Sequence, residues 1–298
     1  MTRAPSADVA VAAQLACLLE VSAPKPGNVS PGAPFHDARW EDFLASAAAI
    51  GPAFAEAGAQ PLGRTIRAAI DATRRWTRAN TNLGIVLLLA PLARAAQRPG
   101  GEGRPLRALL AATLADTTVD DARDVYAAIR LAAPGGLARA PAQDVADAPT
   151  VPLRDAMALA ADRDAIAREY ATDFRATFEV GAPALERALG DGLSWNDATV
   201  EVYLTLLASA PDTLIGRKLG QGEAAAVQRR ARAALEAGGI RETAGREALA
   251  DLDRDLRDPR NARNPGATAD LTAAAIFVVL LAGGWLTGTG EGANDCSR

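Results

Sequence analysis

Residues 264–286 read NPGATADLTAAAIFVVLLAGGWL, and this stretch decides the fold class. Asn264-Pro265-Gly266 is a strong turn signal, and an apolar helix follows it directly. The run from Leu271 to Leu286 is shorter than the roughly 18–20 apolar residues that a membrane span requires. We therefore predict a helix buried inside a globular protein, with Asp270 as an acidic residue in its first turn.

Apolar residues recur with helical spacing along nearly the whole chain, and no alternating run bounded by hairpin turns indicates a strand. The sequence therefore predicts an all-α, single multi-helix globular domain over residues 1–286, followed by a polar, disordered tail over 287–298. Its site is expected on Pro/Gly-rich loops between helices. Predicted helices cover about 7–21, 40–56, 61–76, 83–96, 106–115, 119–132, 164–174, 183–190, 195–208, 223–237, 242–256 and 267–286.

The composition excludes several classes of function. The 298 residues are 49% hydrophobic, only 4% aromatic, and carry a net charge of −4, so no basic patch for nucleic acid is evident. Cys17 and Cys296 lie at opposite ends of the chain without metal-ligand spacing, which favours a reducing cytoplasm. We expect no membrane or nucleic-acid partner, and the Ala-rich helices are compatible with a homodimer.

The chain has two lysines, Lys25 and Lys218, and one histidine, His36. Lys25 lies between two prolines and is followed by Gly27, so its loop is stiff and suited to holding a phosphate. His36 is followed by Asp37, a pairing that suits acid–base chemistry. The alternative for this loop is a plain connection between helices with an exposed lysine.

Four further segments carry polar residues near predicted helix ends. Asn80 and Thr81 precede a helix whose N-terminal N–H groups attract anions, although they also suit an ordinary helix cap. Glu169 and Asp173 share a face if their segment is helical, and Glu179 follows near a Gly-x-Pro break. Such carboxylates could hold Mg²⁺ on a triphosphate, or form an ordinary solvated face.

The last two segments combine carboxylates with cations or amides. Asp212 begins a predicted helix that carries Arg217 and Lys218, a possible phosphate clamp. Asn264 and Asp270 surround the start of the final buried helix and predict an anion or metal pocket.

In this order, the segments resemble the triphosphoribosyl-dephospho-CoA synthase family, and more nearly its branch in methanogens and methylotrophs. The resemblance spans about residues 10–285 and rests on these motifs: Pro24-Lys25-Pro26-Gly27 with His36-Asp37, Asn80-Thr81-x-x-Gly84, Glu179-x-Gly181-x-Pro183, Asp212-Thr213 with Arg217-Lys218, and Asn264-Pro265-Gly266 leading to Asp270-Leu271.

The resemblance implies an all-helical enzyme that moves the triphosphoribosyl group of ATP to a hydroxyl of 3′-dephospho-CoA and releases adenine. Such a step passes through an oxocarbenium-like state and requires carboxylates, with Mg²⁺ on the triphosphate. It implies three sets of residues: catalytic Glu179, Asp270 and His36; substrate-binding Lys25, Gly27, Asn80, Thr81, Arg217, Lys218 and Asn264; and metal-binding Glu169, Asp173, Glu179, Asp212 and Asp270.

The chain departs from the family pattern at one informative point. The lyase-linked branch has Asn-Thr-His-Lys-Gly where this chain has Asn82 and Leu83 before Gly84, so a phosphate-binding lysine is missing. A different acceptor, in a ribosyl or phosphoribosyl transfer of methanopterin or methanofuran biosynthesis, is therefore the second hypothesis. A helical hydrolase of N-glycosidic bonds and a non-catalytic nucleotide-binding protein are the others.

Overall fold

A computed structural model of the chain describes residues 6–135 and 139–287. In these residues the regular elements are helices, and the one β-type contact is an isolated bridge between Ser30 and Ala33. The predicted all-α fold is confirmed. The helices are α1 (Ser6–Ser22), α2 (Trp40–Ala49), α3 (Gly51–Ala55), α4 (Leu62–Arg74), α5 (Leu83–Ala96), α6 (Leu106–Ala115), α7 (Val119–Ala132), α8 (Leu153–Ala158), α9 (Ala165–Ala171), α10 (Ala182–Gly190), α11 (Trp195–Ser209), α12 (Thr213–Leu219), α13 (Gln221–Glu236), α14 (Thr243–Leu256), α15 (Gly266–Leu281) and α16 (Gly284–Thr287), with a π-helical turn at Thr177–Gly181.

Helix α15 is the central helix that the sequence predicted. Its residues from Leu271 to Leu280 are buried, and it packs against α1, α5, α10 and α11. It ends at Leu281 rather than Leu286, because Gly283 adopts a positive φ of 88° before the short α16. No helix in the described ranges has the length and apolarity needed to cross a bilayer.

The core has two parts that meet at α11. The larger part surrounds α15 and includes most side chains of α1 and α5, with contributions from α4, α7 and α10. The smaller part joins α11 to α13 and α14 through side chains such as Tyr203, Val227 and Leu252. Since one helix contributes to both parts, the elements that carry the candidate site are held on a continuous framework.

Helices α4 and α7 pack side by side with their N-terminal ends together. The N–H of Gly63 donates to Asp121 Oδ1 at 2.8 Å, and Asp121 also forms a capping box with Thr118 at the start of α7. The two helices have similar lengths, so their C-terminal ends, at Arg74 and Ala132, lie on the same side of the molecule.

Two predicted helices have different bounds in the structure. The predicted helix 40–56 is divided into α2 and α3, because Pro52 lies in the first turn of α3. The predicted helix 164–174 ends at Ala171, and both Asp173 and Phe174 adopt positive φ values, 50° and 58°. The prediction that Glu169 and Asp173 share a helix face is therefore wrong, and neither α8 nor the π-helical turn was anticipated.

Candidate active site

A cavity of 1360 Å³ lies where several of the polar segments meet. Its walls come from the C-terminal ends of α1 and α7, the loop before α5, the starts of α9 and α15, and α12. The volume exceeds the roughly 300–1,000 Å³ typical of a site for one small molecule. The predicted site residues that line it are Asn80, Thr81, Arg217, Lys218, Asn264 and Asp270.

Asp270 is the central carboxylate of this cavity. It lies in the second turn of α15, and in the described part of the chain its carboxylate accepts no hydrogen bond. Burial raises its pKa well above the usual range, and Glu20, Asp212 and Asp164 add to the effect, while Arg217 opposes it. A carboxylate without hydrogen-bond donors inside a protein indicates a group kept for a ligand.

Gly84 leaves the space that the Asp270 carboxylate occupies. A Cβ added to Gly84 would lie 2.0 Å from Asp270 Oδ2 and 2.5 Å from Asp270 Cγ, so a side chain at this position would have to displace the carboxylate. The second residue of α5 is therefore in contact with the carboxylate of α15. This contact explains why the glycine of the Asn80–Gly84 segment and Asp270 belong to one site.

Asp164 is a cavity residue that was not predicted from the sequence to belong to the site. Its Oδ1 caps α9 by accepting hydrogen bonds from Ile166 N at 2.9 Å and Ala167 N at 3.0 Å. Its Oδ2 lies 3.3 Å from Arg217 Nη1. An Asp before a helix was visible in the sequence, but its ion pair with Arg217 depends on tertiary packing.

Two further side chains in the cavity wall present buried polar atoms without partners. Arg217 Nε and Asn264 Oδ1 have no hydrogen-bond partner among the described residues. A donor and an acceptor left unsatisfied in one wall carry a desolvation cost unless a ligand or water pairs with them. Both residues were predicted to bind substrate, and the structure places both at the cavity.

Asn80 and Thr81 line the cavity but also hold its wall in place. Asn80 Oδ1 accepts a hydrogen bond from Leu83 N at 3.3 Å, and Thr81 Oγ1 shares a hydrogen bond with Ser46 Oγ at 2.5 Å. Asn82 Nδ2 donates to Thr73 Oγ1 at 2.9 Å. The loop is thereby fixed to α2 and α4, which positions the N-terminal end of α5 against Asp270.

Lys25 is not at the cavity surface. Its side chain is 0% exposed, and its ammonium lies 3.0 Å from Glu20 Oε1 and donates to the backbone carbonyls of Glu20 and Ala23. Burial raises the pKa of Glu20, and Lys25 opposes this rise. All three ammonium hydrogens have partners inside the protein, so the structure does not place Lys25 with the predicted site residues that line the cavity.

Gly27 has a structural role in the loop between α1 and α2. Its φ is 73°, its N–H donates to Asp253 Oδ1 at 2.8 Å, and an added Cβ would lie 2.7 Å from Leu256 Cβ. The glycine allows the loop to turn tightly against α14 and does not line the cavity. The stiff Pro24–Gly27 segment therefore connects α1 to the second part of the core.

Two of the predicted metal ligands, Asp212 and Glu169, are buried hydrogen-bond acceptors. Asp212 caps α12 through Leu214 N and Ile215 N and also accepts from Thr268 N and Thr268 Oγ1. Glu169 accepts from Ala176 N, Thr177 N and Thr177 Oγ1, which ties α9 to the π-helical turn. Burial raises the pKa of both carboxyls, and neither residue lines the cavity.

Asp173 and Glu179, which were also predicted to bind metal, do not line the cavity. Asp173 Oδ1 lies 2.7 Å from Arg154 Nη2, and Glu179 Oε1 lies 2.8 Å from Arg107 Nη1 on the outside of the protein, with 51% of the Glu179 side chain exposed. The structure thus does not bring the predicted catalytic Glu179 together with Asp270.

His36 lies on the rim. Its Nδ1 is 2.8 Å from Asn261 Nδ2, and 56% of its side chain is exposed. Lys218 Nζ donates to Asn261 O at 3.3 Å, so these three residues join the loop after α1 to α12. His36 itself does not contribute to the cavity lining, whereas its neighbour Asp37 does.

Cations that no sequence motif indicated complete the lining. The described wall carries eight cationic and five carboxylate side chains, in a chain whose net charge is −4. The cations that were not predicted are Arg74, Arg78, Arg130, Arg139, Arg163 and Arg260. This excess of positive charge favours a polyanionic ligand.

The carboxylates of the cavity also suit a divalent cation. No three His, Cys, Asp or Glu side chains in residues 6–135 and 139–287 form a group that could hold a metal alone. Mg²⁺ is commonly bound by one or two carboxylates together with substrate phosphates. Asp164 and Asp270, which interact electrostatically across the same wall, fit that pattern.

Comparisons with known proteins show the family to which the chain belongs. The CitG family model, ATP:dephospho-CoA triphosphoribosyl transferase, matches residues 6–288. A protein of Pseudomonas aeruginosa PAO1 named 2-(5''-triphosphoribosyl)-3'-dephosphocoenzyme-A synthase is 39% identical over 108 residues, which is 35% of this chain and 36% of that protein. A protein of the same name from Azotobacter vinelandii is 36% identical over 113 residues, 38% of each chain. The aligned stretch thus spans little more than a third of these relatives.

A solved structure matches over a larger part of the chain. The crystal structure of an Archaeoglobus fulgidus protein described as a triphosphoribosyl-dephospho-CoA synthase has a TM-score of 0.64 and 30% sequence identity, covering 82% of this chain and 99% of that one. With the family model matching nearly from end to end, the chain belongs to the ATP:dephospho-CoA triphosphoribosyl transferase family.

Proposed function

We propose that this protein transfers the triphosphoribosyl group of ATP to a hydroxyl of 3′-dephospho-CoA and releases adenine. The observation that carries the proposal is Asp270, a carboxylate without hydrogen-bond donors among the described residues, in a cavity with an excess of cations. Membership in the family supports the choice of substrates.

The end of the cavity at α9, α12 and α15 is suited to the triphosphate of the donor. Arg217 presents an unpartnered Nε, and Lys218 follows it on the same helix. Asp164 and Asp270 would hold Mg²⁺, which when bound would neutralise part of the triphosphate charge and orient the chain of phosphates. Cations for the phosphates and carboxylates for the metal would thus lie at the same end of the cavity, and a magnesium nucleotide requires both.

Asp270 is proposed to act on the ribose as well. Breaking the bond between C1′ and the adenine nitrogen sends the bonding pair to adenine and leaves positive charge on the ribose, which a nearby carboxylate stabilises. The acceptor oxygen then bonds to C1′, and the proton that it loses balances the proton that adenine gains. Gly84 supports this role because its missing side chain leaves space for the carboxylate.

One observation favours an acceptor other than dephospho-CoA. Leu83, which stands where the lyase-linked branch has a lysine, lines the cavity and leaves that position uncharged. An acceptor from methanopterin or methanofuran biosynthesis, receiving a ribosyl or phosphoribosyl group, therefore remains the alternative. Cytoplasmic location and a homodimer also stay proposals, the former supported by the buried free thiol of Cys17.

Adenine release tests the proposal. The protein is incubated with Mg-ATP, with and without dephospho-CoA, and free adenine is measured by chromatography. Adenine that requires dephospho-CoA supports the proposed transfer, whereas adenine without any acceptor indicates hydrolysis. Absence of adenine under both conditions contradicts the proposal and favours a binding protein or another substrate pair.

A further inference from the structure

Three arginines gather at the end of the cavity formed by α4 and α7. Arg74 is the last residue of α4, Arg78 follows in the loop before α5, and Arg130 lies in the last turn of α7. The C-terminal ends of α4 and α7 lie on the same side of the molecule because the two helices start side by side at Gly63 and Asp121. All three line the cavity.

These arginines have no acidic partners. In residues 6–135 and 139–287, no carboxylate lies within ion-pair distance of any of the three. Arg74 Nη1 donates to the backbone carbonyl of Arg78, and Arg130 Nη1 donates to Val145 O at 2.5 Å, which leaves their other N–H groups available. The Arg78 guanidinium makes no hydrogen bond within the described residues.

An ordinary structural explanation covers only part of this arrangement. Cations are favoured near helix C-termini, which accounts for Arg74 and Arg130. Arg78, however, lies beyond the end of α4, so the helix dipole does not explain it. Three like charges around one space repel each other unless an anion joins them.

The two ends of the cavity differ in chemistry. At α12 and α15, Arg217 is paired with Asp164, and Asp270 lies nearby, which suits phosphates that carry a metal. At the end formed by α4 and α7, the neighbouring carboxylate Asp144 pairs with Arg139, so the three arginines keep no acidic partner, which suits phosphates that bind without a metal. The 1360 Å³ volume leaves room for two ligands.

We propose that Arg74, Arg78 and Arg130 form a second phosphate subsite that binds the pyrophosphate diester of the acceptor. The assignment to the acceptor rests on the proposed function, since the donor triphosphate takes the carboxylate-bearing end. Guanidinium groups are well suited to such binding because their N–H groups match phosphate oxygens in pairs.

The subsite itself is tested with inorganic pyrophosphate in the presence of EDTA, by isothermal titration calorimetry on the full chain. Wild-type protein is expected to bind pyrophosphate, and Arg78→Ala to weaken binding about tenfold or more through loss of a charge-assisted contact. Arg75→Ala is the matched control, because Arg75 is an exposed arginine of the same segment that does not line the cavity. Arg78→Lys should restore part of the affinity.

Three outcomes overturn the proposal: no binding by the wild type, unchanged binding by Arg78→Ala, or equal weakening by Arg75→Ala. A thermal melt shows whether each variant is folded, and Arg130→Ala serves as the second variant if Arg78→Ala is not. In turnover, Arg78→Ala should raise KM for dephospho-CoA about tenfold and leave KM for ATP within twofold. If the wild type releases no adenine, the proposed function fails, whereas the pyrophosphate titration still decides the subsite.

Discussion

The backbone of Gly84 lies directly against the carboxylate of Asp270. A Cβ at residue 84 would stand 2.0 Å from Asp270 Oδ2. The contact joins the first turn of α5 to the N-terminal part of α15, two segments far apart in the sequence. It fixes where the central carboxylate of the proposed site can lie.

Gly84→Ala is expected to reduce turnover at least tenfold without unfolding the protein. The new methyl group must displace the Asp270 carboxylate, and a small misplacement of a catalytic group is costly. Alanine is otherwise favoured over glycine in helices by about 1 kcal/mol, which offsets part of the strain. Steady-state kinetics and a thermal melt measure the two effects.

Gly222→Ala provides the matched control. Gly222 is also the second residue of a helix, α13, and a Cβ there would meet no atom within 4 Å. This variant should keep full turnover. Equal activity of the Gly84 and Gly222 variants would contradict the role given to the contact.

Lys25→Met is expected to destabilise the fold rather than to weaken ATP binding alone. Removing the ammonium leaves Glu20 buried without its partner, a change that costs about 3–5 kcal/mol in comparable buried pairs. Urea unfolding measures the loss. The double variant Lys25→Met with Glu20→Gln should recover most of the stability, because it removes the uncompensated charge.

Unchanged stability with weaker ATP binding would instead show that Lys25 has the phosphate-binding role expected from the sequence. If Lys25→Met keeps its free energy of unfolding and raises only KM for ATP, the lysine contacts phosphate. The sequence could not distinguish these cases. Glu20 is the fifth residue before Lys25, but only the turn of the chain after α1 brings their side chains together.

Much of the fold could be predicted from the sequence because it depends on local signals. The bounds of α5, α6 and α7 agree with the predicted helices, since apolar periodicity and caps such as Thr118 define them. The π-helical turn could not be predicted, because it depends on buried Glu169 accepting hydrogen bonds from Ala176 and Thr177.

The candidate site could be predicted only where a motif marks it. Asp270, Asn264 and Arg217 stand in segments with recognisable turns, and the structure places all three at the cavity. Arg78 has no such signal, because its position follows from the packing of α4 against α7. Asp164 was visible only as a helix cap.

Asp164→Asn is expected to lower turnover at least tenfold and to raise the Mg²⁺ concentration needed for half-maximal rate. Asparagine can still cap α9 through its side-chain oxygen, so the helix should remain. The variant loses the negative charge proposed to hold Mg²⁺. Turnover measured across Mg²⁺ concentrations separates a weaker affinity for Mg²⁺ from a lower maximal rate.

Asp173→Asn is the comparison for that experiment. Asp173 was also expected to bind metal, but it lies outside the cavity and pairs with Arg154. Asparagine tolerates the positive φ of this position. A larger loss of activity in the Asp173 variant than in the Asp164 variant would contradict the assignment of the metal to the cavity.

His36→Ala should keep turnover within about threefold of the wild type and leave its pH dependence unchanged, as a residue outside the reacting groups would. The histidine bridges the rim through Asn261, so Asn261→Gly, in which glycine tolerates the positive φ of 49° at this position, should have a similar small effect. Turnover measured from pH 5 to pH 9 tests both. A loss of about a hundredfold in His36→Ala alone, with a lost inflection in the profile, would instead show acid–base catalysis.

The mass of the product tests the central claim most directly. After incubation with Mg-ATP and dephospho-CoA, mass spectrometry should show the acceptor carrying one triphosphoribosyl group, in an amount equal to the adenine released. Asp270→Asn, tested as folded protein, should form little of this product. An unmodified acceptor in the presence of released adenine, or full product formation by Asp270→Asn, would contradict the account.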